Sequence, residues 1–180
     1  MSLIIAFYNG EHALRGKTLS GVQIFNYEHM DLCHDFIQWM FPTLEQSAHH
    51  PSAPVLTLED IEEFRATPIL KNKLRCSFSR FLGFLGLDFT THPDGRVWVF
   101  AADNYDERKI HWQTPYNHNY LRITRVLKCL LLLGLEEEAK AFFDCLTYLF
   151  WNRYGSISKE SYRYWYNAVN PDPDFKHKFL

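Results

Sequence analysis

A single all-α domain is the fold class this sequence predicts, and three observations predict it. Apolar residues recur at helical spacing along most of the chain, as at Leu70, Leu74, Phe78, Phe81 and Leu85. Start and stop signals for helices punctuate those stretches: capping side chains, first-turn prolines and terminal glycines. Only one segment, near residues 88–100, carries the signals of a strand pair. The composition agrees. A chain of 180 residues with 47% hydrophobic and 22% charged residues can bury one globular core, and its 17% aromatic share predicts a core packed with rings.

The elements follow in order. Gly16-Lys17-Thr18 reads as a turn into a short helical spacing at Leu19, Val22 and Phe25. Asn26 is an N-cap for a helix over about 27–41, whose apolar positions Met30, Cys33, Ile37, Met40 and Phe41 share one side and which Pro42 stops. Residues 42–56 read as an ordered surface loop. Thr57 and Asp60 resemble a capping box that opens a short helix through Ile61 and Phe64. Thr67-Pro68 starts a helix to about Leu85, and Gly86 ends it. His92-Pro93-Asp94-Gly95 is a turn between Leu87-Asp88-Phe89 and Val97-Trp98-Val99-Phe100. A short helix runs from Asp103 toward Trp112. Longer ones follow over about 118–133, 136–153 and 158–169, and residues 170–180 read as a mobile tail. The total is about six or seven helices and one small hairpin, in one domain over residues 1–180.

Several function classes fall away. The N-terminus has apolar residues but no basic flank and no cleavage pattern of a signal peptide. The longest apolar run, Cys129–Leu133 and on to Leu135, is far short of the ~20 residues a membrane span needs. Cys33, Cys76, Cys129 and Cys145 stand singly, so they read as thiols of a reducing compartment, and a cytoplasmic location is the expectation. No phosphate-cradling glycine loop is present, and His29-x-x-x-Cys33-His34 has no second cluster to complete a metal site. Neither cofactor nor metal is therefore expected.

The charges are segregated although the net charge is only −2. Residues 1–63 hold nine acids against Arg15 and Lys17. Residues 64–87 hold five cations and no acid, and residues 108–135 again five and none. Either the blocks neutralise one another in the fold or the basic ones face an anionic partner. The near-zero total favours the first.

Two stretches concentrate the polar chemistry. In a helix over 27–41, His34, Asp31, Gln38 and Asp35 share the side opposite the apolar one, with Trp39 at its border. In a helix over 118–133, Ile123, Val126, Leu127 and Leu130 face the core, while His118, Arg122, Arg125 and Lys128 share the other side with Leu121 and Leu132. Arginine's planar fork suits carboxylate and amide oxygens together, so Asp31, Asp35 and Gln38 are natural partners for Arg122 and Arg125. One reading is a scaffold network; the other is a cleft between the two helices where a peptide or small anionic ligand, or a protein partner, is held. The expected ligand-binding set is His34, Asp35, Gln38, Trp39, Trp112, His118, Arg122, Arg125 and Lys128, with no catalytic residue assigned. An enzyme using His34 or His118 as acid and base is the alternative, but no nucleophile accompanies them in a recognisable turn. Nucleic acid is a third reading, opposed by the acidic balance of the whole chain.

His34-Asp35-Phe36-Ile37-Gln38-Trp39-Met40-Phe41-Pro42 resembles the His-Asp-Tyr-Ile-Gln-Trp-Leu-Phe-Pro signature of the opioid growth factor receptor conserved domain. Asn117-His118-Asn119-Tyr120-Leu121-Arg122-Ile123-Thr124-Arg125-Val126-Leu127-Lys128 is similar to that family's Asn-Asn-Leu-Arg-Ile-Thr-Arg-Ile-Leu-Lys block. Ala53-Pro54-Val55-Leu56-Thr57, Gly83-Phe84-Leu85-Gly86-Leu87 and Trp112 fit in order, so the resemblance spans roughly residues 15–165. It implies a non-enzymatic binding domain. Vertebrate members are described as nuclear-associated receptors for an enkephalin-type peptide, with long additional C-terminal regions. A chain of this length resembles compact microbial members. The resemblance supplies no catalytic residue.

Overall fold

Two compact units, Met1–Arg80 and Phe81–Leu180, divide the chain within one helix. The computed structural model describes residues 1–152 and 157–171. The end of the helix expected over 136–153 and all but the first two residues of the expected mobile tail therefore lie outside the described residues.

The first unit opens with helix α1, Leu3–Asn9, for which the sequence offers no periodic signal. Ser2 Oγ accepts from the Ile5 amide at its start, and Gly10 closes it in the left-handed conformation. Between those caps Ile4, Ile5, Phe7 and Tyr8 are buried. Helices α2 (Leu19–Gln23), α3 (Tyr27–Leu32), α4 (Phe36–Met40) and α5 (Leu58–Ala66) follow, and then most of α6 (Pro68–Leu85).

The single helix expected over 27–41 is two. Asn26 caps α3 as expected, its Oδ1 accepting from the His29 amide at 2.7 Å. Cys33 then leaves the helix in extended conformation (φ −85°, ψ 129°), and α4 restarts at Phe36. The break places Met30 on one segment and Phe36, Ile37 and Met40 on the other in the core. It leaves Leu32 72% exposed, which one straight amphipathic helix would also have turned outward.

The capping box is present in both directions: Thr57 accepts from the Asp60 amide at 3.2 Å, and Asp60 Oδ2 accepts from the Thr57 amide at 2.9 Å. Thr57→Ala is expected to cost about 1 kcal/mol. Chemical denaturation checks it, and an unchanged midpoint would mean the cap is replaced by solvent. In α6, Leu70, Leu74 and Phe78 are buried as their spacing predicts. Cations of the basic block hold backbone carbonyls: Lys73 Nζ donates to Tyr8 O at 2.9 Å, and Arg80 donates to Phe25 O while lying over the Tyr27 ring.

In the second unit, α6 ends through the buried residues Phe81 and Leu85 at Gly86, which has φ +77°. The carbonyls left at a helix end need donors. Arg108 Nε supplies one to Phe84 O and Trp112 Nε1 another to Leu85 O, both at 2.9 Å. Strands β1 (Leu87–Thr91) and β2 (Val97–Ala101) pair antiparallel with Leu87 opposite Ala101 and Phe89 opposite Val99, as the hairpin expectation requires. Its turn is held by Asp94, which Arg96 contacts at 2.6 Å and keeps below the usual carboxylate range.

Helices α7 (Tyr105–Lys109), α8 (Asn119–Leu132), α9 (Glu136–Asn152) and α10 (Lys159–Val169) complete the unit. Helices α8, α9 and α10 pack on one another, and α9 also lies against β2. Ile123, Val126, Leu127, Leu130, Phe142, Leu146 and Trp165 are wholly buried. The fold class is thus helical with one antiparallel hairpin. There are ten helical segments among the described residues because the N-terminal half uses several of five to seven residues.

Candidate functional site

A groove of about 500 Å³ opens in the first unit. Its walls are Leu14, Arg15, Lys17, Gly21, Ile24 and Phe25 on one stretch and Asn26, His29, Cys33 and Asp35 on the next. Clefts of this size hold small organic ligands when apolar walls carry a few placed polar groups.

Local geometry explains the walls. Leu14 and Lys17 exchange both backbone hydrogen bonds at 2.9 Å, closing a two-residue turn. Both central residues, Arg15 (φ +48°) and Gly16 (φ +75°), are left-handed, which is the requirement of the mirror-image hairpin turn. Glycine adopts that conformation without strain; an arginine adopts it at a cost of about 1 kcal/mol. The turn directs the Arg15 guanidinium at Asp35, with Nε 2.7 Å from Oδ2. Arg15 is 76% exposed and Asp35 only 17%, so the pair contributes little stability but holds a carboxylate in a defined place on the groove wall. Asp35 reaches the groove because α3 breaks at Cys33. The same break sets the Cys33 thiol 3.2 Å from His29 Nε2. The His29 ring in turn lies edge-on to Phe25 at 4.2 Å.

The residues expected from the sequence are distributed as follows. Asp35 lines the groove and pairs with Arg15, where the sequence offered Arg122 and Arg125. His34 is exposed in the bend between Cys33 and Asp35. Gln38 is buried beneath the 42–56 loop, where its Nε2 donates to Ser47 Oγ at 3.3 Å and its Oε1 has no protein partner among the described residues. Trp39 is half-buried, stacked on His12 at 5.1 Å and edge-on to Phe7. In the second unit, Trp112 is 1% exposed and its indole is committed to the end of α6. Arg122 is buried at 5% exposure, and its Nη1 donates to Asn119 Oδ1 at 3.1 Å. Arg125 and Lys128 are half-buried on α8, and His118 is exposed at its N-cap. Of the two leucines within the basic side of α8, Leu132 is buried and Leu121 is 60% exposed.

Arg15, Lys17, His29 and Cys33 were not in the expected binding set. The signals available were the turn at Gly16 and the one-turn spacing of His29 and Cys33. Among the described residues, no three His, Cys, Asp or Glu side chains are grouped to hold a metal ion, and no helix is long and apolar enough to cross a membrane.

Comparison with known proteins sets this geometry in a family. The chain is 36% identical over 114 residues to the human opioid growth factor receptor and 36% identical over 112 residues to the mouse protein. It is 38% identical over 112 residues to opioid growth factor receptor-like protein 1 of Xenopus tropicalis. Each alignment covers 62% of this chain but only 16%, 17% and 21% of those relatives, so the chain spans a minor part of their length. No solved structure matches. The profile of the opioid growth factor receptor conserved region matches residues 5–177, which takes in both units with the groove and α8, and the chain belongs to that family.

Proposed function

We propose that this chain is a non-enzymatic ligand-binding domain and that its groove in residues 14–35 takes a peptide-like ligand. The observation that carries the reading is the Arg15–Asp35 pair on the wall of a roughly 500 Å³ groove. Opposite charges stand side by side there, with Lys17 beside them and Phe25, Ile24 and Leu14 as apolar surface. A ligand bearing both an ammonium and a carboxylate can meet Asp35 with one and Arg15 and Lys17 with the other, and its apolar body can cover Phe25. The relatives' names describe receptors for an opioid growth factor, which agrees with a peptide as ligand class. His34, Gln38 and Trp39 belong to this reading only as sequence neighbours of Asp35, with Gln38 bonded to Ser47 and Trp39 stacked on His12. In the second unit, Arg122 and Trp112 position the scaffold.

The test is calorimetric titration of the full chain with an enkephalin-type pentapeptide. Asp35→Asn removes the charge but keeps the shape, and it is expected to weaken binding about tenfold. The same change should move thermal stability by less than about 1 kcal/mol, because Arg15 is mostly exposed. A flat titration of the unmodified chain, or equal affinities for chain and variant, would overturn the reading.

A further inference from the structure

The groove also contains a thiol and a base in contact. Cys33 ends α3 in extended conformation, so its side chain leaves the line of the helix and meets His29 Nε2 at 3.2 Å. His29 is not placed loosely: its amide is tied to Asn26 Oδ1 at 2.7 Å and its ring is packed against Phe25. Both residues line the same groove as Arg15 and Lys17. A thiol reacts as its thiolate, and an imidazole nitrogen within hydrogen-bond distance is placed to receive the proton it gives up.

The other three thiols are differently placed. Cys129 is wholly buried, and burial pushes its thiol far up. Burial likewise pushes Cys145 up to about 12. Cys76 is exposed on α6. Cys33 lines a groove that carries Arg15 and Lys17 together with the Asp35 carboxylate.

We infer that Cys33, with His29 as its base, is a site of thiol–disulfide exchange with small anionic disulfides of the glutathione type. The inference rests on the same groove as the binding reading. His29 Nε2 takes the thiol proton, and the Cys33 sulfur attacks one sulfur of the disulfide. The S–S bond breaks, a mixed disulfide forms on Cys33, and the departing thiolate takes up the proton. Cys33 is oxidised and the small disulfide is reduced to one thiol, so no further oxidant is needed. Arg15 and Lys17 would hold the incoming carboxylates, and the groove has room for the tripeptide that remains attached.

The experiment is a time course of the full chain with glutathione disulfide at neutral pH, read by peptide mass at each cysteine. A parallel course uses cystamine, a cationic disulfide. Cys33 is expected to gain glutathione about tenfold faster than Cys76, and to lose that advantage with cystamine. His29→Gln should bring Cys33 down to the rate of Cys76, while the buried Cys129 stays unmodified, which shows that the variant is folded. Equal or slower modification at Cys33, or no response to His29→Gln, overturns the inference. Peptide binding without fast modification sinks this inference alone, and fast modification without peptide binding sinks the binding reading alone.

Discussion

Trp165→Ala lowers the unfolding free energy by about 4 kcal/mol, the largest single-residue effect expected in this protein. Trp165 lies on α10 with no solvent exposure, and its ring meets Tyr120 of α8 edge-on at 5.6 Å. The indole Nε1 donates to Tyr120 O at 3.1 Å. Truncation removes the ring's buried area and leaves a cavity between two packed helices, and cavity and transfer terms add. The lost hydrogen bond is the smaller part. Tyr120 O also accepts from Thr124 Oγ1 at 3.0 Å, so it is not stranded when the indole goes. Trp165→Phe is therefore expected to cost only about 1–2 kcal/mol, since it keeps a ring in the space. Urea denaturation of the two variants separates the terms. Equal losses would mean that the hydrogen bond, and not the packing, joins α10 to α8.

The elements legible in the sequence were those whose signals are local. Asn26, Thr57 with Asp60, Pro68 and Gly86 each act on the first or last turn of their own helix, and each is found in that role. The buried faces of α6, α8 and α9 follow from spacing alone because long helices repeat their pattern several times. Helix α1 lacked that redundancy. Seven residues cannot display a period, and its only signs were Ser2 and Gly10 at the two ends. The break after Leu32 had no local sign at all: neither Gly nor Pro lies between Leu32 and Phe36. What the break accomplishes is tertiary, since it lets Asp35 meet a guanidinium twenty positions earlier.

The same distinction governs the site. Asp35 stood out with Asp31, His34 and Gln38 on a polar helix side, but its partner depended on a left-handed arginine that no residue preference predicts. Trp112 beside a basic block suggested a ligand contact. Its actual acceptor is a helix-terminal carbonyl 27 positions earlier, which periodicity cannot reveal. His29 and Cys33 were visible as a one-turn pair and set aside for want of further metal ligands. Their use needs only two groups and a groove.

Gly86→Ala is expected to cost about 3 kcal/mol, well beyond the ordinary penalty for a left-handed residue. At φ +77° an added Cβ would stand 2.8 Å from the Tyr105 Cα and 2.8 Å from the Arg108 Cβ. Tyr105 Cα is backbone, so relief requires shifting α7 itself. That shift would disturb the two donors that α7 and the following turn supply to the end of α6, Arg108 to Phe84 O and Trp112 to Leu85 O. Gly10 provides the control. Its φ is +82° but nothing lies within 4 Å of an added Cβ, so Gly10→Ala should cost only the conformational term, about 1 kcal/mol. Matched denaturation curves for the two variants isolate the close approach from the backbone strain. If both lose the same amount, α7 yields by a few tenths of an ångström at no cost, and the helix end is held by its hydrogen bonds alone. If Gly86→Ala loses more, as the geometry requires, then a glycine is needed there for space as much as for φ.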